Sequence, residues 1–335
     1  MSSLRDNLVR FHVEGVEGLA AGESRGSGAF GAVYNVAVDG IPRIAKRLHK
    51  VLLAPDVLPS EKRGIQQRFF NECLLLSKLV HPNVVEFIGV HFSAADRDDV
   101  TLIMECLPMD LGKYLTSNEH LTIPISIKVS ILLDVSYGLL YLHTQLEEPI
   151  IHRDLTASNI LLTHDLRAKI ADLGVSKLLD HHPSLVATQT ACPGTLSYMP
   201  PEALEESPKY DKPLDIFSFG QLSLYVAVQQ FPQVFNVTSS PGVVSAIRNG
   251  ELEFLRRKKW IDMLSKDYCL LSVITQCLQD KMEKRPDARK LNGTMKILGV
   301  KNTKTLEDVT LAWRHQVQCA LLCTCIVYII LHFPN

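Results

Sequence analysis

Several things are missing from this sequence, and each absence removes a class of function. There is no excess of charge: 35 Lys and Arg against 36 Asp and Glu leave a net charge of −1. That argues against a nucleic-acid binder, which needs a basic face. The eight Cys form no C-x-x-C pair and no zinc spacing, so reduced thiols in the cytoplasm are expected in place of a metal knuckle. No basic segment followed by an apolar one opens the chain, and no secretory signal is expected. The sequons at Asn236 and Asn292 are then idle. Internal repeats and low-complexity tracts are absent. What remains is 335 residues, 46% hydrophobic and 21% charged, which describes a globular chain of one large domain or two lobes.

The first informative stretch is RGSGAFGAVYNVAV, with Gly26, Gly28 and Gly31 in a G-x-G-x-x-G-x-V pattern. Glycines let backbone approach phosphate oxygens closely and turn sharply between strands. Such a turn often does no more than close a hairpin. A dinucleotide fold would need a helix after the glycines, whereas the alternation of Val33, Asn35 and Ala37 predicts a strand.

Lys46 follows in RIAKRL, after Ile44 and Ala45. In GIQQRFFNECLLLSKL the residues Ile65, Phe69, Glu72 and Leu76 fall at i, i+4, i+7 and i+11, one face of a helix. A carboxylate within an apolar stripe is costly unless a cation meets it, and Lys46 is the natural partner. The Pro-containing stretch HKVLLAPDVLPSEK between them reads as a surface loop, and VTLIMECLPMDLGKYL as a strand ending in a connector at Glu105-Cys106. A cleft at such a connector is a usual place for a ligand.

The centre of the chain is richer. IPISIKVSILLDVSYGLLYLH predicts a buried helix, and it leads into His152-Arg153-Asp154, with Asn159 completing H-R-D-L-x-x-x-N. AKIADLGVSK then supplies Asp172-Leu173-Gly174. Phosphoryl transfer needs a carboxylate to orient and deprotonate a hydroxyl, and oxygen ligands for Mg²⁺. Asp154 suits the first role, Asn159 and Asp172 the second. Any one of these motifs is an ordinary turn; the ordered set is not.

The set resembles a eukaryotic protein kinase domain, closest to the tyrosine-kinase-like group of serine/threonine kinases. The motifs run from the Gly26–Val33 loop through Lys46, Glu72, His152–Asn159, Asp172–Gly174, Pro200-Pro201-Glu202 and Asp215 to Arg285. The resemblance implies an α+β fold of two lobes, a small antiparallel β-sheet lobe with one helix and a larger, mainly helical lobe. It places the kinase domain at 10–298, divided into 10–105 and 106–298, with a tail at 299–335. It implies that Gly26, Ser27, Gly28 and Gly31 cradle ATP phosphates, that Lys46 and Glu72 position them, and that Asp154 is the catalytic base. Val33, Ala45 and Leu161 would sandwich the adenine, with Glu105 and Cys106 at the connector and Met104 behind it. Asn159 and Asp172 would hold Mg²⁺. Leu76, Phe87, His152 and Leu173 would stack as an apolar spine, and Glu202 would pair with Arg285.

The departures bear on specificity. Leu173 and Pro200 replace the more usual Phe and Ala without removing a chemical group. Thr156 and Ser158 stand where serine/threonine or tyrosine kinases carry Lys or Arg. Gly194-Thr195 followed by Tyr198 resembles the serine/threonine form of the substrate loop. The expected activity is transfer of the ATP γ-phosphate to Ser or Thr of protein substrates; dual or tyrosine specificity, and an ATP-binding scaffold with little turnover, stay open as alternatives. A small-molecule kinase is disfavoured by the peptide-docking motifs. Ser176, Ser184, Thr188 and Thr190 line the activation loop, and phosphorylation of Thr188 or Thr190 by an upstream kinase would offer Arg153 a partner. A metal role for His181-His182 lacks a third ligand.

From Val317 to Phe333 the chain lacks Asp, Glu, Lys and Arg. The run falls short of the usual span of about 20 residues. Lys301, Lys304 and Arg314 precede it and suit a cytoplasmic side, and Cys319, Cys323 and Cys325 are acylation candidates. A membrane anchor and a helix packed on the large lobe are both open readings.

Overall fold

The structure, a computed structural model, describes residues 2–19, 24–27, 31–49, 57–93, 99–118, 121–173, 198–204, 211–229, 261–262, 264–265 and 268–302. Gly28, Gly174, Gly194-Thr195, the activation-loop hydroxyls, His181-His182 and the apolar tail lie outside these residues. The chain divides into two compact units, one of 1–106 with 171–178, the other of 107–170 with 179–335.

The first unit is built on an antiparallel sheet. Its strands are β1 (Val16–Glu17), β2 (Ser24–Ser27), β3 (Gly31–Val38), β4 (Ile41–Leu48), β5 (Phe87–Phe92) and β6 (Val100–Glu105), preceded by helix α1 (Ser2–Val9) and interrupted by α2 (Pro59–Leu76). The order is β1-β3-β4-β6-β5, with β2 also paired to β3. The predicted strand after Gly31 is β3, and the predicted amphipathic helix is α2. Pro59 opens α2 and Glu61 lies in its first turn, both favourable at a helix N-terminus. One face of the sheet carries a core of Val36, Val38, Ala45 and Ile103, covered by Val13, Val16, Leu19, Tyr34 and Ile88. Helix α1, which the sequence pattern did not announce, packs against α2.

The second unit is mainly helical. It holds β7 (Met109–Asp110), α3 (Leu111–Ser117), α4 (Ile125–Thr144), β8 (Ile160–Leu162), β9 (Ala168–Ile170), α5 (Pro213–Val228), α6 (Leu271–Cys277) and α7 (Ala288–Lys301). Strands β7, β8 and β9 form a small antiparallel sheet in that order. Asp110 and Asp287 cap α3 and α7 by accepting from the N–H of Lys113 and Lys290, each at 2.8 Å. Helix α4 is long and apolar enough to cross a membrane, but most of it is buried in the protein. Two of its buried polar groups are tied to neighbours: Asp134 takes two bonds from the Arg167 guanidinium and one from the Ala168 N–H, and Ser136 accepts from Asn292 of α7. Helix α5 ends at Gln229, in the left-handed region with φ 59°. The Gln229 side chain then accepts from Ile123 N–H and donates to the Leu121 carbonyl, fastening the start of α4 to the end of α5.

Candidate active site

In the first unit, β4 delivers Lys46 and the buried face of α2 delivers Glu72. Lys46 Nζ donates to Glu72 Oε1 at 2.6 Å and to Asp172 Oδ1 at 2.8 Å, so the ammonium bridges two carboxylates. Burial opposes the charge on Lys46, but Asp172 and Glu72 outweigh it and hold its pKa above the ordinary value. Burial raises the Glu72 carboxyl, with Lys46 acting against it. Asp172 differs in being half exposed, at 45% of its side chain, and its backbone adopts φ 60°. A non-glycine residue in that region costs about 1–3 kcal/mol and persists only where its surroundings dictate it.

Strand register sorts the expected adenine contacts. Val33 lies opposite Lys46, and Ile44 opposite Met104. Because side chains alternate along a strand, Val33, Ile44, Lys46, Leu102 and Met104 share one face of the sheet. Ala45 does not join them. It pairs with Tyr34 and Ile103 on the opposite face, where it is fully buried in the core cluster. The expectation that Ala45 and Val33 hold one ring between them is therefore corrected: a period of two cannot turn neighbours 45 and 46 the same way. Ile44 occupies the position that Ala45 was expected to fill.

Gly26 and Ser27 end β2 and Gly31 starts β3. A Cβ at Gly31 would collide with the Arg47 carbonyl oxygen of the neighbouring strand, a close approach only glycine permits. Glu105 ends β6; its N–H is given to the Glu86 carbonyl, and its carboxylate accepts from the Glu86 N–H. Cys106 Sγ lies 3.5 Å from Arg25 Nη1.

In the second unit, Asp154 and Asn159 meet directly. Asn159 Nδ2 donates to the Asp154 carbonyl at 2.8 Å and to Asp154 Oδ2 at 2.9 Å. The stretch Ala157–Asn159 between them is a single turn of 3₁₀ helix leading into β8, which carries Leu161. Thr156 is buried, and its hydroxyl shares a 2.8 Å hydrogen bond with that of Ser158. Thus the two residues standing where a cation is usual are bonded to each other.

The loop hangs from a buried carboxylate. Asp215 Oδ2 accepts from His152 N–H at 2.8 Å and Oδ1 from Arg153 N–H at 2.9 Å, and Arg153 is held at φ 69°. His143, at the end of α4, adds a third bond to Asp215. Further along, the Ala157 N–H donates to the Tyr198 hydroxyl at 3.4 Å, and Ser218 of α5 donates to the Tyr198 carbonyl. Glu202 and Arg285 form the expected ion pair, doubly bonded and buried. The sequence reading missed His143 and the Tyr198 contact. A histidine closing an apolar helix needs a buried partner, but the sequence does not say that Asp215 is that partner.

Residues 20–295 match the protein kinase domain family. The chain belongs to the protein kinase family. Among its relatives, an L-type lectin-domain containing receptor kinase IV.1 of Arabidopsis thaliana is 30% identical over 211 residues, 63% of this chain and 29% of the relative. A calcium/calmodulin-regulated receptor-like kinase 1 of the same plant is 31% identical over 62% of this chain and 44% of its own length. Serine/threonine/tyrosine-protein kinase HT1, also from Arabidopsis thaliana, is 30% identical over 80% of this chain and 63% of its own length. This kinase thus spans less than two thirds of each of these relatives.

Proposed function

We propose that this kinase transfers the γ-phosphate of ATP to Ser or Thr hydroxyls of protein substrates. The observation that carries the reading is the Lys46 ammonium bridging Glu72 and Asp172 at 2.6 and 2.8 Å. A lysine so fixed is a rigid cation for the ATP α- and β-phosphates, and the glycine pattern at 26, 28 and 31 suits a close backbone approach to them. Val33, Ile44 and Leu161 would enclose the adenine. Asp154, oriented by Asn159, would accept the substrate hydroxyl proton. The donors Asn159 and Asp172 fit Mg²⁺: Asn159 spends its Nδ2 on Asp154 and keeps an amide oxygen, and Asp172 is a half-exposed carboxylate. Bound there, the metal would offset phosphate charge. The place of action would be the cytoplasm, with the tail as a candidate anchor and phosphorylation at Thr188 or Thr190 as a candidate activator.

A scaffold with little turnover is favoured by one observation, the Thr156–Ser158 bond, which leaves no cation at that point of the loop. Labelled ATP with Mg²⁺, offered to protein substrates that are then hydrolysed, separates the readings. Label on Ser or Thr that disappears in Asp154→Asn supports transfer. ATP binding without label in wild type supports the scaffold.

A further inference from the structure

Residues 2–13 precede the family match, which begins at residue 20, yet they are built into the first unit. Helix α1 packs against α2, the helix that carries Glu72, and Leu8 is fully buried. After α1 the chain runs beside β5 as a parallel edge, with Val13 N–H donating to Val90 O at 2.8 Å and Val90 N–H to Phe11 O at 2.9 Å. His91 Nδ1 lies 3.1 Å from the Val13 carbonyl. Phe11 meets Phe87 edge-on at 5.4 Å, and the guanidinium of Arg5 stands over the Phe92 ring. Gly89 makes this docking feasible: a Cβ there would collide with Val13 and come within 2.6 Å of the Phe11 carbonyl oxygen.

We propose that residues 2–13 are a clamp that positions Glu72 for Lys46 by holding α2 and β5 together. One end grips the helix that bears the carboxylate, while the other is hydrogen-bonded into the sheet edge. The sheet also carries Lys46 on β4. Without that link, α2 keeps its direct packing on β5 and its ion pair with Lys46, but loses the segment that is hydrogen-bonded to the sheet edge and packed on the helix at once. Leu8 and Phe11 are accordingly positioning residues that act through Glu72. Their role in phosphate transfer rests on the proposed function, whereas their hold on α2 does not.

The test uses the full chain carrying Gly89→Ala, which pushes the 11–13 edge away, and separately Leu8→Ala, with Leu8→Met as the volume-conserving control. Hydrogen exchange of the α2 amides reads the clamp without any turnover, so it remains informative should the chain transfer no phosphate. Faster exchange across 59–76 in both variants, with Leu8→Met like wild type, is expected. In activity the expected loss in kcat/KM for ATP is roughly tenfold to a hundredfold, the scale for a displaced positioning group. In a Glu72→Gln background the same substitutions should cost less than about twofold, because the carboxylate they position is already gone. Unchanged α2 exchange, or the same fold-loss with and without Glu72, would overturn the proposal.

Discussion

His143 Nε2 and Asp215 Oδ2 meet 2.7 Å apart, with side-chain exposures of 1% and 0%. The same carboxylate receives the N–H groups of His152 and Arg153. A fully buried charge is tolerable only when it is hydrogen-bonded, and here three donors reach it. The consequence is mechanical. The residues just before Asp154 are fastened by backbone bonds to the first turn of α5.

Asp215→Asn puts an NH₂ group in place of one acceptor oxygen, against at least one of the three donors, removes the charge, and should lose about 3–5 kcal/mol of stability, the scale for breaking a buried pair. Urea unfolding checks this. The acid limb carries a second signature. Burial pushes the Asp215 carboxyl up, but the His143 bond and charge, with the His152 bond, outweigh it and hold the pKa below the ordinary value. A lowered folded pKa means the contribution is present above the ordinary aspartate value of about 3.9 and is lost as pH falls through the folded one. Wild type should therefore lose stability steeply below about pH 4, and Asp215→Asn should show a flatter limb.

Glu202→Gln tests the second buried pair. Arg285 also donates to the carbonyls of Gln279, Pro213 and Asp280, and its guanidinium lies over Phe217. Removing the carboxylate charge strands a cation that these carbonyls only partly satisfy. The expected cost is about 3 kcal/mol, read as a lower urea midpoint with little change in slope. A loss under about 0.5 kcal/mol, the range of an exposed pair, would contradict this.

Thr156→Ala and Asp154→Asn should separate cleanly. Thr156 shares its hydroxyl with Ser158, so its loss should lower kcat less than about tenfold, within the worth of one neutral hydrogen bond. Losing Asp154, the proposed base, should cost on the order of 10²–10⁴. Steady-state kinetics at saturating ATP decides. Equal losses would show that Thr156 carries a task beyond holding Ser158.

Much of this site was legible because its chemistry needs fixed residue types at fixed spacings. Lys46, Glu72, Asp154, Asn159 and Asp172 could be read from order alone, and the structure brings together Lys46, Glu72 and Asp172, and Asp154 with Asn159. Helix α1 was not legible, because Leu8 is its one fully buried position among the described side chains and a single apolar contact leaves no periodicity. His143 was hidden for a related reason: its partner is 72 positions away in sequence. The Ala45 expectation failed on register. A motif fixes which residues are near a ligand, but only strand pairing fixes which face each one takes.

That distinction yields a last prediction. Ile44 shares a face with Val33 and Lys46, whereas Ala45 is at 0% exposure in the core on the other side. Ile44→Ala should raise KM for ATP several-fold by removing one wall of the proposed adenine site, with a loss of stability of about 2–5 kcal/mol for the vacated volume. Ala45→Val should instead overpack the core beneath Val13 and Tyr34, costing about 1–3 kcal/mol while leaving KM for ATP near wild type in the folded fraction. ATP titrations paired with thermal unfolding separate the two. Were Ala45→Val to raise KM and Ile44→Ala to leave it unchanged, the two faces would have been assigned the wrong way round.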